Sequence, residues 1–245
     1  MKLIQADWPA PAHIHALAST RQGGVSTAPY DSLNLGDHVG DQPVAVAQNR
    51  DLLLASQGLH RRPQWLQQVH GTTLVKASDD GSVPQADACW SDQPGQACIV
   101  MTADCLPVLF TDRLGTKVAA AHAGWRGLAE GILEQTLQIF ADPAEVMVWL
   151  GPAIGQAAFE VGDEVRERFC ELLPRSEAAF IPGERAGKWQ ADICQLARLR
   201  LQRAGVRQIH GGGFCTYADS ARFFSYRRQA QTGRLASMIW IADQR

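Results

Sequence analysis

Ala97-Cys98-Ile99-Val100-Met101-Thr102-Ala103-Asp104-Cys105-Leu106-Pro107-Val108-Leu109-Phe110-Thr111 is two short apolar runs broken by a polar turn. Ala97 to Thr102 and Leu106 to Thr111 are too short for typical helices. Their aliphatic and β-branched residues, bounded by Asp and Pro, predict buried strands. Lys117 to Ala121 and Val146 to Leu150 repeat the pattern. Between them Leu128, Ile132, Leu137 and Phe140 follow Gly127 at near-helical spacing, so a helix should start directly behind the strand that carries His122. Asp192 as cap, then Ile193, Leu196, Ala197 and Leu201 with Gly205 as stop, predict a second helix. Weaker patterns mark helices at about 43–57 and 163–172, and Pro182 to Gly187 reads as an exposed loop. The expected fold is α/β, a mixed central β-sheet core flanked by helices, in one domain spanning 1–245.

Composition narrows the function classes. The chain has 245 residues, 23 basic and 25 acidic, for a formal charge of −2, with no long run of one sign. A phosphate-backbone binding face is not indicated, so nucleic acid is not an expected partner. Met1 to Pro9 lacks the apolar core of a signal peptide, and no stretch approaches the roughly 20 apolar residues of a membrane helix. A soluble, cytoplasmic protein is expected, as a monomer or a homodimer. Six cysteines, at 89, 98, 105, 170, 194 and 215, form no Cys-x-x-Cys pair and no regular framework, so reduced thiols are expected.

Three junctions carry potential chemistry. Gln67-Gln68-Val69-His70-Gly71 places a histidine at the expected end of a strand; Thr102-Ala103-Asp104-Cys105 puts a thiol beside a carboxylate; and Ala121-His122-Ala123-Gly124-Trp125-Arg126-Gly127 surrounds a histidine with small residues. Two imidazoles and one thiolate make a zinc site with one coordination position free, which suits chemistry better than scaffolding. The gaps of 35 and 17 residues match no compact zinc motif. Each residue alone also reads as a core histidine or an inert buried cysteine.

The segments QVHG, TADCLPV and HAGWRG occur in one order with Thr20-Arg21-Gln22-Gly23-Gly24, Asn34-Leu35-Gly36, Gly151-Pro152-Ala153-Ile154-Gly155, Phe159-Glu160-Val161 and Phe224-Ser225-Tyr226-Arg227-Arg228. Together they resemble the laccase-domain (YfiH-like) family, also known as purine nucleoside phosphorylases and formerly as multicopper polyphenol oxidases. The resemblance runs from about residue 13 to 240. It implies a single α/β domain in which His70, Cys105 and His122 bind zinc and serve catalysis. It also implies phosphorolysis of adenosine, inosine and methylthioadenosine, with purine nucleoside and phosphate as partners, and deamination of adenosine.

Phosphorolysis needs a fixed cation for the dianion. Arg126 is the first candidate, Arg21 and Arg228 the second, and Asn34 a candidate for ribose or base. The bland readings are salt bridges for the arginines and a turn for Asn34. Gly23-Gly24 and Gly211-Gly212-Gly213 are weak phosphate-loop candidates, and Trp125 a candidate wall for the base. Deamination needs a carboxyl group near the metal, and Asp104 or Glu160 could supply it. The His-x-Glu and Pro-Cys-x-x-Cys motifs of known zinc deaminases are absent.

Three other readings stay open. Copper is possible in the same site, giving a copper-dependent polyphenol oxidase, although seven histidines with one His-x-His pair cannot ligate a mononuclear and a trinuclear centre. Cys105 with His122 or His70 as base would make a cysteine-type hydrolase; some family members are linked to editing peptidoglycan precursors. A non-catalytic binding module would need a fourth zinc ligand, such as Cys89 or Cys215.

Overall fold

The computed structural model describes residues 1–243. In chain order its strands are β1 (Leu3–Gln5), β2 (Ile14–Ser19), β3 (Leu74–Lys76), β4 (Ala88–Ser91), β5 (Cys98–Thr102), β6 (Leu106–Asp112), β7 (Val118–Ala123), β8 (Val146–Leu150), β9 (Glu160–Gly162), β10 (Phe180–Pro182), β11 (Lys188–Ala191), β12 (Gln208–Gly211) and β13 (Leu235–Ile241). Five α-helices accompany them: α1 (Pro43–Ser56), α2 (Trp125–Glu130), α3 (Ile132–Leu137), α4 (Asp163–Leu172) and α5 (Ile193–Arg203).

The strands form a six-stranded sheet, β12-β8-β6-β7-β4-β3, and a four-stranded sheet, β1-β2-β13-β5, with a small third sheet, β10-β11-β9. The larger sheet is mixed: β12 with β8 and β4 with β3 run parallel, and the other pairs antiparallel. Strand alternation assigns the layers. Leu109, Ala120, Cys89 and Trp149 point from the six-stranded sheet into an apolar layer shared with Ala16, Val100 and Ile239 of the four-stranded sheet. Val108, Phe110, Ala119 and Ala121 point the other way, onto Leu128, Ile132 and Leu133 of α2 and α3 and onto Leu196 and Leu201 of α5. The outer face of the four-stranded sheet, through Leu17, Ile99 and Met238, packs on Leu33, Leu35 and Leu53. The result is a single α/β domain, sheet on sheet with helices outside. β7 is buried along its whole length, which is why Val118 to Ala123 shows no polar alternation.

The expected strands stand within a residue or two of their predicted bounds, and Val146–Leu150 matches. Asp192 caps α5 by accepting from the Gln195 amide. Two expectations are corrected. The helix behind His122 begins at Trp125 and is split, because Gly131 sits at φ 101°, a left-handed turn that ends α2 and starts α3. His70 does not end a strand. Its segment is a loop with one bridge, Gln67 to Gln85, because the donors of Val69, His70 and Gly71 go to a side chain and not to a neighbouring strand. No helix among the described residues is long and apolar enough to cross a membrane.

β5 belongs to one sheet and β6 to the other, so the Ala103-Asp104-Cys105 turn crosses the sandwich at its edge. The end of β7 and the 67–73 loop arrive at the same edge.

Candidate metal centre and its cavity

The crossing puts Cys105 beside His70 and His122, whose candidate ligand atoms all lie within 4.8 Å of one another. Cys105 Sγ is 3.8 Å from His70 Nε2, and the two imidazoles meet edge to face with centroids 4.7 Å apart. Among the described residues this is the one cluster of three or more His, Cys, Asp or Glu side chains with metal-binding spacing.

One carboxylate that the sequence reading passed over organises the cluster. Asp87, fully buried, accepts from the amides of His70 at 2.9 Å, Gly71 at 2.7 Å and Val69 at 3.2 Å. Its Oδ1 also accepts from His122 Nδ1 at 2.8 Å. An ionised carboxylate can only accept, so a ring proton sits on Nδ1 and His122 Nε2 faces the cluster, where it can ligate a metal once the imidazolium gives up its second proton. The His122 amide in turn donates to the Asp87 carbonyl at 2.7 Å. A single side chain therefore fixes one ligand by its ring and the other by its backbone, and holds His70 in the left-handed region at φ 62°. A signal was present: an acidic residue inside Ala86-Asp87-Ala88-Cys89-Trp90 must be either exposed or fully partnered.

Cys105 is held from the other side. Asp104, also at positive φ, accepts from Thr216 Oγ1 at 2.6 Å, Ser225 Oγ at 3.0 Å and the Arg227 amide at 2.6 Å. Its carboxylate is committed to binding the 216–227 segment, so it is not a free proton carrier. Glu160 pairs with Arg185. The glycines of HAGWRG have a steric purpose. A Cβ on Gly124 would stand 2.7 Å from His70 Cδ2 and 3.1 Å from Cys105 Sγ, and one on Gly127 would stand 2.8 Å from the Gly71 carbonyl. Only glycine leaves room for the 70–71 loop.

The electrostatics couple the thiol and the imidazole. Burial opposes a Cys105 thiolate, but the adjoining His122, by charge and hydrogen bond, and then His70 outweigh it and bring the thiol down to about 6. Burial likewise opposes a His122 cation, yet Cys105 and Asp87 raise it to about 9. For Asp87, burial is again outweighed, by the His122 and Gly71 hydrogen bonds, and its carboxyl is lowered. The donor set fits a metal. The thiol ionises readily, both imidazoles offer a nitrogen, and the 3.8 Å sulfur–nitrogen spacing is close to the ~3.5 Å edge of a tetrahedral zinc site. Three protein ligands leave one position, and a fourth thiolate does not approach: Cys89 lies buried between the sheets, and Cys215 Sγ accepts from the Gly155 amide at 3.2 Å.

The cluster lines a cavity of about 510 Å³, within the usual range for small-molecule sites. Trp125, Phe159 and Tyr226 supply aromatic surface to it, and Arg227 and Arg234 positive charge. The residues expected to bind substrate lie elsewhere. Arg126 is exposed and stacks on the Trp125 ring, outside the lining. Arg21 pairs with Asp31 and covers the Phe224 ring. Arg228 donates to the carbonyls of Thr216, Tyr217 and Phe223. Asn34 is fully buried, its Oδ1 accepting from the amides of Gly36 and Arg234. Neither glycine run lines the cavity: Gly24 is packed at Asn49 and Ser32 and Gly211 at Leu150, while Gly213 stands in open space. Sequence reading missed Arg234 because nothing local to Thr232-Gly233-Arg234 shows that β13 starts beside the cluster.

Residues 15–242 match the family described as multi-copper polyphenol oxidoreductase laccase. The chain belongs to that family. Among relatives of this laccase family, a purine nucleoside phosphorylase of Pseudomonas aeruginosa is 58% identical over 241 residues, covering 98% of each chain. The purine nucleoside phosphorylase YfiH of Escherichia coli K12 is 55% identical over 242 residues, covering 98% of this chain and 99% of that one. A crystal structure of a Neisseria meningitidis protein superposes with TM-score 0.95 at 50% identity, covering 99% of this chain and 100% of that one. YlmD from Geobacillus stearothermophilus superposes with TM-score 0.89 at 34% identity, covering 96% and 94%. Against the name of the laccase family stands the ligand count: the described residues gather one such cluster, whereas blue-copper oxidases need two centres. Of the His-x-His pair, His15 stacks on Trp240 and His13 bonds the Gly115 carbonyl.

Proposed function

We propose that the protein is a purine nucleoside phosphorylase that uses a zinc ion held by His70, Cys105 and His122. The observation that carries this reading is the three-ligand cluster, open on one side to a cavity with aromatic walls and two arginines. Relatives more than half identical over nearly the whole chain carry the phosphorylase name, which supports it. Adenosine, inosine and methylthioadenosine are the proposed substrates, and adenosine deamination a proposed side activity.

Bound zinc would supply a Lewis acid with one open position; copper, the tighter binder of such ligands, would compete for it. Asp87 keeps the His122 proton on Nδ1 and so keeps Nε2 a ligand atom. Trp125, Phe159 and Tyr226 offer flat apolar surface for a purine and exclude water around it. The arginines offset the charge of an incoming dianion, so that nucleoside and phosphate can be held together before the glycosidic bond breaks. The test is mass spectrometry of products from adenosine with excess phosphate, comparing protein of known metal content with Cys105→Ala. Adenine and ribose 1-phosphate from the wild type alone support the reading; no purine product from either retires it.

One observation favours a second reading. Cys105 lowered to about 6 beside His122 raised to about 9, with Asp87 orienting the imidazole, is the arrangement of a thiol nucleophile and its base. A cysteine hydrolase would work without metal, so stoichiometric zinc with a protected thiol argues against it.

A further inference from the structure

The cavity's two arginines lack, among the described residues, the carboxylate partner that eight other arginines of the chain have. Arg21, Arg50, Arg113, Arg166, Arg168, Arg185, Arg200 and Arg222 each pair with a carboxylate. Arg227 and Arg234 pair with none among the described residues. Arg227 is tied down by backbone carbonyls, its Nη1 donating to Ala158 at 3.1 Å and its Nη2 to Glu160 at 3.1 Å. Arg234 spends only Nη1, on the carbonyls of Thr232 at 3.0 Å and Gly233 at 3.2 Å. Its Nε and Nη2 have no protein acceptor among the described residues, although the side chain lines the cavity.

The placement of Arg234 is built. Its amide donates to Asn34 Oδ1 at 2.9 Å, and the Asn34 amide nitrogen donates to Asp41 Oδ2 at 2.9 Å. The stem runs over Gly36, where a Cβ would stand 2.7 Å from Arg234 Cγ. Asn34-Leu35-Gly36 thus fixes the arginine from the backbone and leaves its donors unspent. A partly desolvated guanidinium with no carboxylate at ion-pair distance among the described residues, Asp104 acting on it only by longer-range charge, and with two free donors is an incomplete ion pair, and its fork geometry matches an oxyanion.

We infer that Arg234, assisted by Arg227, is the oxyanion subsite of the cavity and binds inorganic phosphate beside the His70–Cys105–His122 cluster. That this phosphate is a co-substrate rests on the phosphorylase reading; the anion site itself does not. Burial lowers the Arg234 pKa, with Cys105 among the groups that offset the fall. The rival role for Arg234 is therefore to stabilise the Cys105 thiolate.

Calorimetric titration of inorganic phosphate into the metal-free full-length protein at constant ionic strength separates the two roles, because no metal is present to take the anion. Loss of charge-assisted hydrogen bonds should weaken phosphate roughly 10- to 100-fold in Arg234→Gln. Arg234→Lys, which keeps charge and stem, should lose less, and Arg113→Gln should bind as the wild type. A readout that needs no variant is protection: phosphate should shield Arg234 from phenylglyoxal, read by peptide mass spectrometry. The inference is overturned if the wild type binds no phosphate, if Arg234→Gln binds it unchanged, or if Arg234 is not shielded. Unchanged phosphate binding with slower Cys105 alkylation in Arg234→Gln would assign the thiolate role instead. Shielding of Arg234 without ribose 1-phosphate from any purine nucleoside keeps the anion site and retires the phosphorylase reading. Ribose 1-phosphate formed by Arg234→Gln with an unaltered phosphate KM does the reverse.

Discussion

Asp87→Asn should uncouple metal affinity from the fold. The carboxylate receives two donors on each oxygen: His70 N and His122 Nδ1 on Oδ1, Val69 N and Gly71 N on Oδ2. An amide of the same shape must turn one acceptor into a donor. If the new NH2 takes the Oδ2 position, the amides of Val69 and Gly71 lose their partner. If it takes the Oδ1 position, the His70 amide does, and His122 can satisfy the NH2 only by moving its own proton to Nε2, the atom that faces the cluster. Either way about two buried donors are orphaned, at ~1–3 kcal/mol each, or ~2–6 kcal/mol together. Set against a global stability of ~5–15 kcal/mol, most of that range leaves the variant folded, with Tm lower by roughly 4–24 °C for a chain of this length. Zinc affinity should fall ~10- to 100-fold, the usual cost of losing the partner that orients a ligating imidazole. Chelator competition at neutral pH gives the affinity and thermal melts of the metal-free protein give the stability. Zinc affinity within about threefold of wild type, with an unshifted melt, would refute the claim that Asp87 sets the cluster.

Gly124→Ala places a methyl 2.7 Å from His70 Cδ2 and 3.1 Å from Cys105 Sγ, so zinc affinity should drop at least ~10-fold while far-UV circular dichroism stays native; unchanged affinity would mean that the loop has slack. His122→Ala should abolish metal binding and turnover together, and turnover without metal would sink the zinc mechanism. In metal-stripped protein, iodoacetamide should label Cys105 with a rate that rises through about pH 6 and then levels off, whereas an unperturbed thiol would rise near 9. The thiolate's contribution grows as pH rises from about 6 to the ordinary thiol value of 9.0, while the imidazolium's falls as pH rises from the ordinary imidazole value of 6.5 to about 9, so between those values the two offset each other and the pair should leave the metal-free melt level; replacing either partner alone should give the melt a slope across that window, and a melt equally level in Cys105→Ala contradicts the pairing.

The short aliphatic runs around Asp104, the period of α5 with its Asp192 cap, and the segments QVHG, TADCLPV and HAGWRG determined by themselves the α/β class, most strand positions, the family resemblance and the three candidate ligands. Those features are local: a strand or a capped helix is written in a window of ten residues, and a cysteine or histidine is a metal ligand by its chemistry wherever it stands. The cations of the cavity and the partner of the ligands were decided elsewhere. Arg126 was favoured because it neighbours His122 in sequence, but α2 turns it to solvent, whereas Arg234 reaches the cluster from the far end of the chain because β13 pairs with β5. Asn34 was chosen as a substrate ligand for its amide, and it spends that amide on the backbone that holds Arg234. Asp87 carries no motif at all; it matters because four donors lying 16 to 35 residues from it in sequence converge on one buried carboxylate, and such convergence is a property of the packed chain, since a buried charge persists only where tertiary structure brings its partners to it.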